Sequence, residues 1–158
     1  MANVIKLRKG LDVNLKGKAA KEEFQVKKPA VYALMPDDFT GMKPKVVVKE
    51  NDVVKVGDAL FVDKNHPEIK FVSPVSGRVT MVERGDRRKV LSVRVEADAE
   101  LQYVDFGKKS AGQMTAQEVK ALLLESGLFA FFKQRPYDVT ANPTDTPKAI
   151  FVLSLIHI

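Results

Sequence analysis

Between Lys45 and Val95 short β-branched runs alternate with turn-forming residues, and this spacing leaves no room for a long helix. Val46–Val48, Val53–Val54, Ala59–Val62, Phe71–Val72, Arg78–Val82 and Val90–Val95 read as extended segments. Asn51-Asp52, Gly57-Asp58, Ser73-Pro74-Val75-Ser76-Gly77 and Gly85-Asp86 separate them. Many short strands closed by Gly, Pro, Asn and Asp specify an all-β barrel or sandwich. The stretch is written in two similar halves, each an extended run, a tight corner and a return. Gly57, Asp58, Pro74, Gly77 and Gly85 are the structural turns, and Gly57, Gly77 and Gly85 are placed where a left-handed backbone is expected. Alternation predicts Val79 and Met81 on one face, with Arg78, Thr80 and Val82 on the other. It also predicts Leu91, Val93 and Val95 inside, with Ser92 and Arg94 outside.

The flanks add simpler elements. Ile5–Leu7 suits a short strand, with turns at Gly10 and Gly17, and Pro29–Leu34 is strongly β-prone. Met35–Gly41 reads as a loop, because Pro36 disfavours helix at Met35. Leu101–Val104 suits one more strand. Thr115-Ala116-Gln117-Glu118 is a capping box that opens a helix with Val119, Leu122 and Leu123 on one face and Gly127 as its terminal cap. Leu128–Gln134 continues as a further helical turn or two, stopped by Pro136. Pro143–Pro147 is a linker, and Ala149–Val152 reads as a buried strand. The chain is thus mainly β with a C-terminal helical segment, of the α+β class. Its parts are a basic segment at 1–28, a β-domain at 29–108, a helical segment at 113–137, and a linker with the start of an α/β unit at 138–158.

Composition narrows the chemistry. With 158 residues the chain makes one or two small domains. No run of eighteen apolar residues is present, and no apolar stretch follows the basic residues at the N-terminus, so neither a membrane-spanning helix nor a secretory signal is expected. The absence of cysteine excludes disulfides, thiolate zinc sites and cysteine-ligated iron–sulfur clusters in this chain. Residues 1–30 hold eight Lys and Arg against three acidic residues, which is five of the six net positive charges. This segment reads as a solvated leader or as a contact for anionic headgroups or an acidic partner. Its only aromatic residue is Phe24, a poor endowment for a nucleic-acid arm.

The SPVSGRV segment at Ser73–Val79, preceded by a Gly-Asp corner and a hairpin, resembles a barrel-sandwich hybrid domain, the fold of biotinyl and lipoyl carriers. KLRKGLD at Lys6–Asp12, FTGMKPK at Phe39–Lys45, the span Val54–Val79, ERGDRRKVLSVRVE at Glu83–Glu96, RPYDV at Arg135–Val139 and PKAIFV at Pro147–Val152 follow in the order of one family. That family is the A subunit of the sodium-translocating NADH:quinone oxidoreductase, and more distantly the C subunit of Rnf electron-transport complexes is similar. The resemblance covers about Ile5 to Val152. It implies a component peripheral to the cytoplasmic side of the bacterial inner membrane and held there by membrane subunits, with a role in assembly and quinone contact. It places flavins and iron–sulfur centres on partner subunits, leaves ubiquinone as the candidate ligand of this chain, and implies no nucleic acid. Leu153–Ile158 departs from the family pattern and reads as non-native or chimeric sequence, which removes His157 from consideration.

Lys64 stands about where a carrier's modified lysine would, but the context Asp63-Lys64-Asn65-His66-Pro67 differs from a carrier tip, and no covalent modification is expected. His66 lacks a spaced His, Cys or carboxylate partner, so no metal site is expected. Arg84, Arg87 and Arg88 with Asp86 form a basic corner, read as a solvated hairpin tip or a salt-bridged interface. No phosphate-cradling glycine motif occurs, and no catalytic grouping is present, so catalysis by this chain alone is not expected. Phe129, Phe131, Phe132 and Tyr137 beside Lys133 and Arg135 could form an apolar slot with a cationic mouth, as a quinone requires, or could simply anchor the helix. Phe131, Phe132, Arg135 and Tyr137 are the quinone-contact candidates, with Tyr32, Met35 and Phe39 as the facing wall. Two other classes compete: a carrier domain modified at Lys64, and a basic RNA-binding barrel, because VKVGDALF resembles a turn motif of ribosome-associated barrels.

Overall fold

The computed structural model describes residues 16, 17, 20, 22–107 and 110–152. The expected Ile5–Leu7 strand, the Gly10 turn, most of the basic leader and Leu153–Ile158 with His157 lie outside them. Two antiparallel sheets enclose the core. The first orders β1 (Val31–Leu34), β7 (Val90–Ala97), β6 (Gly77–Arg84) and β3 (Val53–Val54). The second orders β2 (Pro44–Val46), β4 (Ala59–Asp63) and β5 (Lys70–Val72). Leu60, Phe61, Ile69, Phe71, Val79, Val93 and Val95 are fully buried between them. Each strand contributes only a few apolar residues, so the two sheets must face one another to remove them from water.

The alternation along β6 holds only as far as Val79. Val79 pairs with Val95, but Met81 pairs with Arg94, so β6 carries one extra residue there. This bulge reverses the faces. Met81, expected on the same face as the buried Val79, is 43% exposed, and Val82, expected on the opposite face, packs against the core. A second shift sets Glu83 opposite Ser92 and Arg84 opposite Val90. Val90 is buried as a result, and Leu91, expected inside, is only partly so. Val93 and Val95 face the core as expected.

Gly57 and Gly77 have the expected positive φ, at 99° and 153°. A Cβ at Gly77 would collide with the Glu96 carbonyl oxygen across the ladder. Gly85 does not follow the expectation. Its φ is −97°, and the left-handed residues of this hairpin are Arg87 and Arg88, at 54° and 61°. Gly85 is closely packed instead: the Leu91 side chain lies 3.2 Å from where its Cβ would stand, so a side chain there would press Leu91 aside by a few tenths of an ångström.

Leu101–Val104 is not a strand. It makes one parallel bridge, with Val56 donating to the Gln102 carbonyl and accepting from the Val104 amide, before Gly57 turns the first half away. The Ser76 hydroxyl accepts from the Gln102 amide at 2.9 Å and fastens this crossing segment. Helix α1 (Ala116–Glu125) begins as expected: Glu118 N–H donates to Thr115 Oγ1, and Thr115 N–H donates to Glu118 Oε2 at 2.8 Å. Gly127 follows its end with φ 76°. The helical part of the 113–137 segment then ends early, in a 3-10 turn at Leu128–Phe131. Lys133–Gln134 is not helical but forms β8, paired with β9 (Val139–Thr140). Pro136 lacks the amide a helix needs, and Asp138 takes a positive φ that turns the chain back. Ile150, Phe151 and Val152, expected in a buried strand, are 67%, 90% and 91% exposed, and no described strand runs beside them.

Candidate functional site

The expected quinone slot draws on three separate pieces of chain. Alternation along β1 turns Tyr32 and Leu34 toward the core, where both are partly buried. Met35, just past the strand end, is 45% exposed. Pro36 opens a 3-10 turn at Pro36–Asp38, and that turn drives Phe39 inward to 9% exposure. Phe39 meets Phe71 edge-on, with ring centres 4.6 Å apart, and Phe131 edge-on at 5.9 Å. Phe71 in turn stacks on Phe61 at 4.9 Å. Four rings therefore run in series from the middle of the core to the surface, each in a geometry that aromatic pairs favour.

The outer end of this series borders an apolar notch of about 30 Å³, lined by Leu34, Phe39, Phe71, Val72, Gly127, Ala130 and Phe131. Gly127 makes the notch possible. A Cβ there would overlap the Val72 side chain and come within 3.2 Å of the Lys70 carbonyl, so only glycine lets the helix end approach β5 this closely. The notch has room for no more than a water or two, against the roughly 300–1,000 Å³ of a drug-sized ligand site. A quinone ring would have to displace Phe131, which is 66% exposed and bounds the notch on its open side.

Of the seven candidates, the structure brings Phe39 and Phe131 into contact. Phe132 instead stacks on Phe129 at 5.7 Å. Arg135 and Tyr137 stand at the β8–β9 tip, where the Arg135 side chain and Tyr137 are each 76% exposed and Arg135 lies 3.7 Å from Asp138. The hairpin is anchored beside Phe39, because Thr140 N–H donates to the Thr40 carbonyl and Ala141 N–H to the Phe132 carbonyl. Val139 closes over Gly41, where a Cβ would stand 2.8 Å from the Val139 Cβ. Thr140 Oγ1 is buried without a hydrogen-bond partner among the described residues. The arrangement offers an apolar wall and, on the same hairpin, exposed cationic and phenolic donors. Leu34, Phe71 and Ala130 were not among the sequence candidates. The core-facing alternation of Phe71 and the glycine cap at Gly127 are the signals that lead to them.

Elsewhere, Glu83, Ser92 and Arg94 form a cluster on the first sheet, in which Ser92, expected outside, is 5% exposed. Ser92 Oγ donates to Glu83 Oε2 at 2.8 Å and Arg94 Nη2 donates to the same oxygen at 2.7 Å. The Ser92 hydrogen bond first, then the Arg94 hydrogen bond and charge, hold the Glu83 carboxyl below its usual range. Lys64 is exposed just past the end of β4, and His66 Nδ1 lies 3.6 Å from Glu68. No group of three or more His, Cys, Asp or Glu could hold a metal among the described residues, and no helix among them is long and apolar enough to cross a membrane.

Residues 5–98 match the NqrA N-terminal barrel-sandwich hybrid domain, and residues 114–157 match the NqrA second alpha/beta domain. The chain belongs to the NqrA family. The first match carries the two-sheet architecture described above. The second begins at the capping box of α1 and extends past the last described residue. Similar relatives are the A subunit of the Na(+)-translocating NADH-quinone reductase of Yersinia pestis, 36% identical over 156 residues, and that of Pseudomonas aeruginosa, 34% identical over 156 residues. The protein of that name from Actinobacillus pleuropneumoniae is 34% identical over 151 residues. These alignments cover 94–96% of this chain but 34–35% of each relative, so the chain spans about a third of their length.

Proposed function

We propose that the chain is the N-terminal part of the A subunit in a complex that couples NADH oxidation and quinone reduction to sodium export. Its role there is assembly, and it sits peripherally on the cytoplasmic side of the inner membrane, held by the membrane subunits. The observation that carries this reading is the co-linear match of two successive NqrA domains across nearly the whole chain. The redox groups would belong to partner subunits. A chimera tests it: residues 5–152 replace the aligned part of a relative's NqrA chain, and the complex is purified through one of the other subunits. Co-purification with NADH-driven quinone reduction is the expected result. A chimera that folds but fails to co-purify rejects the reading.

Within that role, the Phe39–Phe131 notch is the proposed quinone contact, with Phe131 moving aside and Arg135 and Tyr137 donating to the quinone carbonyls. Phe132, Tyr32 and Met35 would border it. Labelling the chimeric complex with a photoreactive ubiquinone tests this. Label is expected in peptides containing residues 34–39 and 127–137, reduced at least several-fold by Arg135→Ala. Label confined to other segments or other subunits removes the notch from the proposal.

A further inference from the structure

The outward face of the second sheet is cationic, and nothing in the assembly role above accounts for it. In the ladder Lys45 pairs with Val62, and Val62 pairs with Lys70, so the three residues form one cross-strand row. The neighbouring row, Val46–Phe61–Phe71, points into the core. Lys45, Val62 and Lys70 therefore face away from it, with Val62 itself covered to 9% exposure. The register continues one step beyond the strands, where Lys64 N–H donates to the Lys43 carbonyl at 2.7 Å. That sets Lys43 and Lys64 opposite one another on the same outward face. Four lysines thus surround Val62, with half-exposed Val47 beside them. None of the four has an ion-pair partner among the described residues. Glu68, in the turn before β5, is 3.6 Å from His66. Asp63 is buried and accepts from the Lys43 and Asn65 amides.

Like charges set directly opposite across a sheet destabilise it, so such a face is most stable when covered by negative charge. Lysine is a hydrated point charge without the planar fork that reads one phosphate or carboxylate in fixed geometry. These lysines lie along one sheet face rather than converging from several elements, and among the described residues of that face none is an aromatic for base stacking. We infer that this face docks on a diffuse anionic surface, the headgroup layer of a bilayer containing acidic phospholipid. The lysine heads meet phosphates there, and Val47 lies against the interface.

The test uses the full chain with phosphatidylglycerol-containing vesicles and with pure phosphatidylcholine vesicles, scored by co-sedimentation at low and high salt. Binding is expected to the anionic vesicles alone and to fall with salt. The variant Lys45→Gln/Lys64→Gln/Lys70→Gln should weaken the partition on the order of a hundredfold, at roughly fivefold per lysine. The control Lys55→Gln/Lys120→Gln/Lys148→Gln removes the same charge from positions outside the second sheet and should change it less than about threefold. Thermal unfolding of both variants verifies that they are folded. Absence of wild-type binding overturns the inference, as does an equal loss in the two variants, which would reduce the effect to net charge. Binding to acidic polypeptide but not to vesicles overturns it in favour of a protein partner. None of these outcomes depends on the chimera experiment.

Discussion

Gly77 shows how much one backbone position can carry. It begins β6 at a φ of 153°, with the Glu96 carbonyl occupying the place of a side chain. Gly77→Ala must move the β6–β7 ladder apart or abandon that conformation, and should cost more than about 2 kcal/mol in urea unfolding. A loss under about 0.5 kcal/mol, the scale of an ordinary surface change, would mean the strand opening adapts. Glu83 illustrates charge at the same scale. Its carboxyl is held low in the folded chain by Ser92 and Arg94, so its stabilising contribution is present above the ordinary glutamate range and lost as pH falls through the depressed folded value. Glu83→Gln should therefore flatten the stability-against-pH curve below about pH 4 and leave its shape near pH 7 unchanged. An unaltered acid limb would show that the interaction is screened away on this exposed face.

At the scale of elements, α1 is ten residues long, too short to persist without its caps and its docking. Thr115→Ala removes the acceptor for the Glu118 amide and should destabilise by about 1 kcal/mol. Hydrogen exchange should speed up first in the opening turn of α1, with β6 and β7 unaffected, because the helix meets the barrel through its other end. The β6 bulge acts at this scale too. It turns Met81 to solvent, so Met81→Gln should change stability by less than about 0.5 kcal/mol. Val82→Gln, which places an amide against the core, should cost about 1–3 kcal/mol. Were Met81 the costlier position, the β6–β7 register would have to be shifted by one residue.

Over the whole molecule, Phe39 is the joint between the two-sheet core and the helical segment, touching Phe71 on one side and Phe131 on the other. Phe39→Ala should lower stability by about 3–5 kcal/mol in denaturant unfolding. The exposed Phe131→Ala should cost under about 1 kcal/mol while still opening the notch. A reversed order would place the joint in the helical segment rather than in the loop after β1. The contrast also separates stability from ligand contact, because Phe131 can be removed in a quinone-labelling experiment without unfolding the domain.

The class of fold, the family, the turns at Gly57 and Gly77 and both ends of α1 were legible in the chain before any folding was considered. Each rests on chemistry local in the chain: a glycine that permits positive φ, a hydroxyl three residues before a carboxylate, or short β-branched runs between turn residues. What depends on pairing at a distance emerged with the folded molecule. The bulges that exchange Met81 for Val82 and Leu91 for Val90 arise from the count of residues on two strands, which neither strand encodes alone. Leu91 packs closely over Gly85, and two arginines take the left-handed positions. Of the candidate slot, its aromatic composition was legible, but the meeting of Phe39 and Phe131 required β1, β5 and the helix end to converge. The lysine face was illegible for the same reason: Lys43, Lys45, Lys64 and Lys70 are scattered in the chain and become neighbours only when β2, β4 and β5 pair in register.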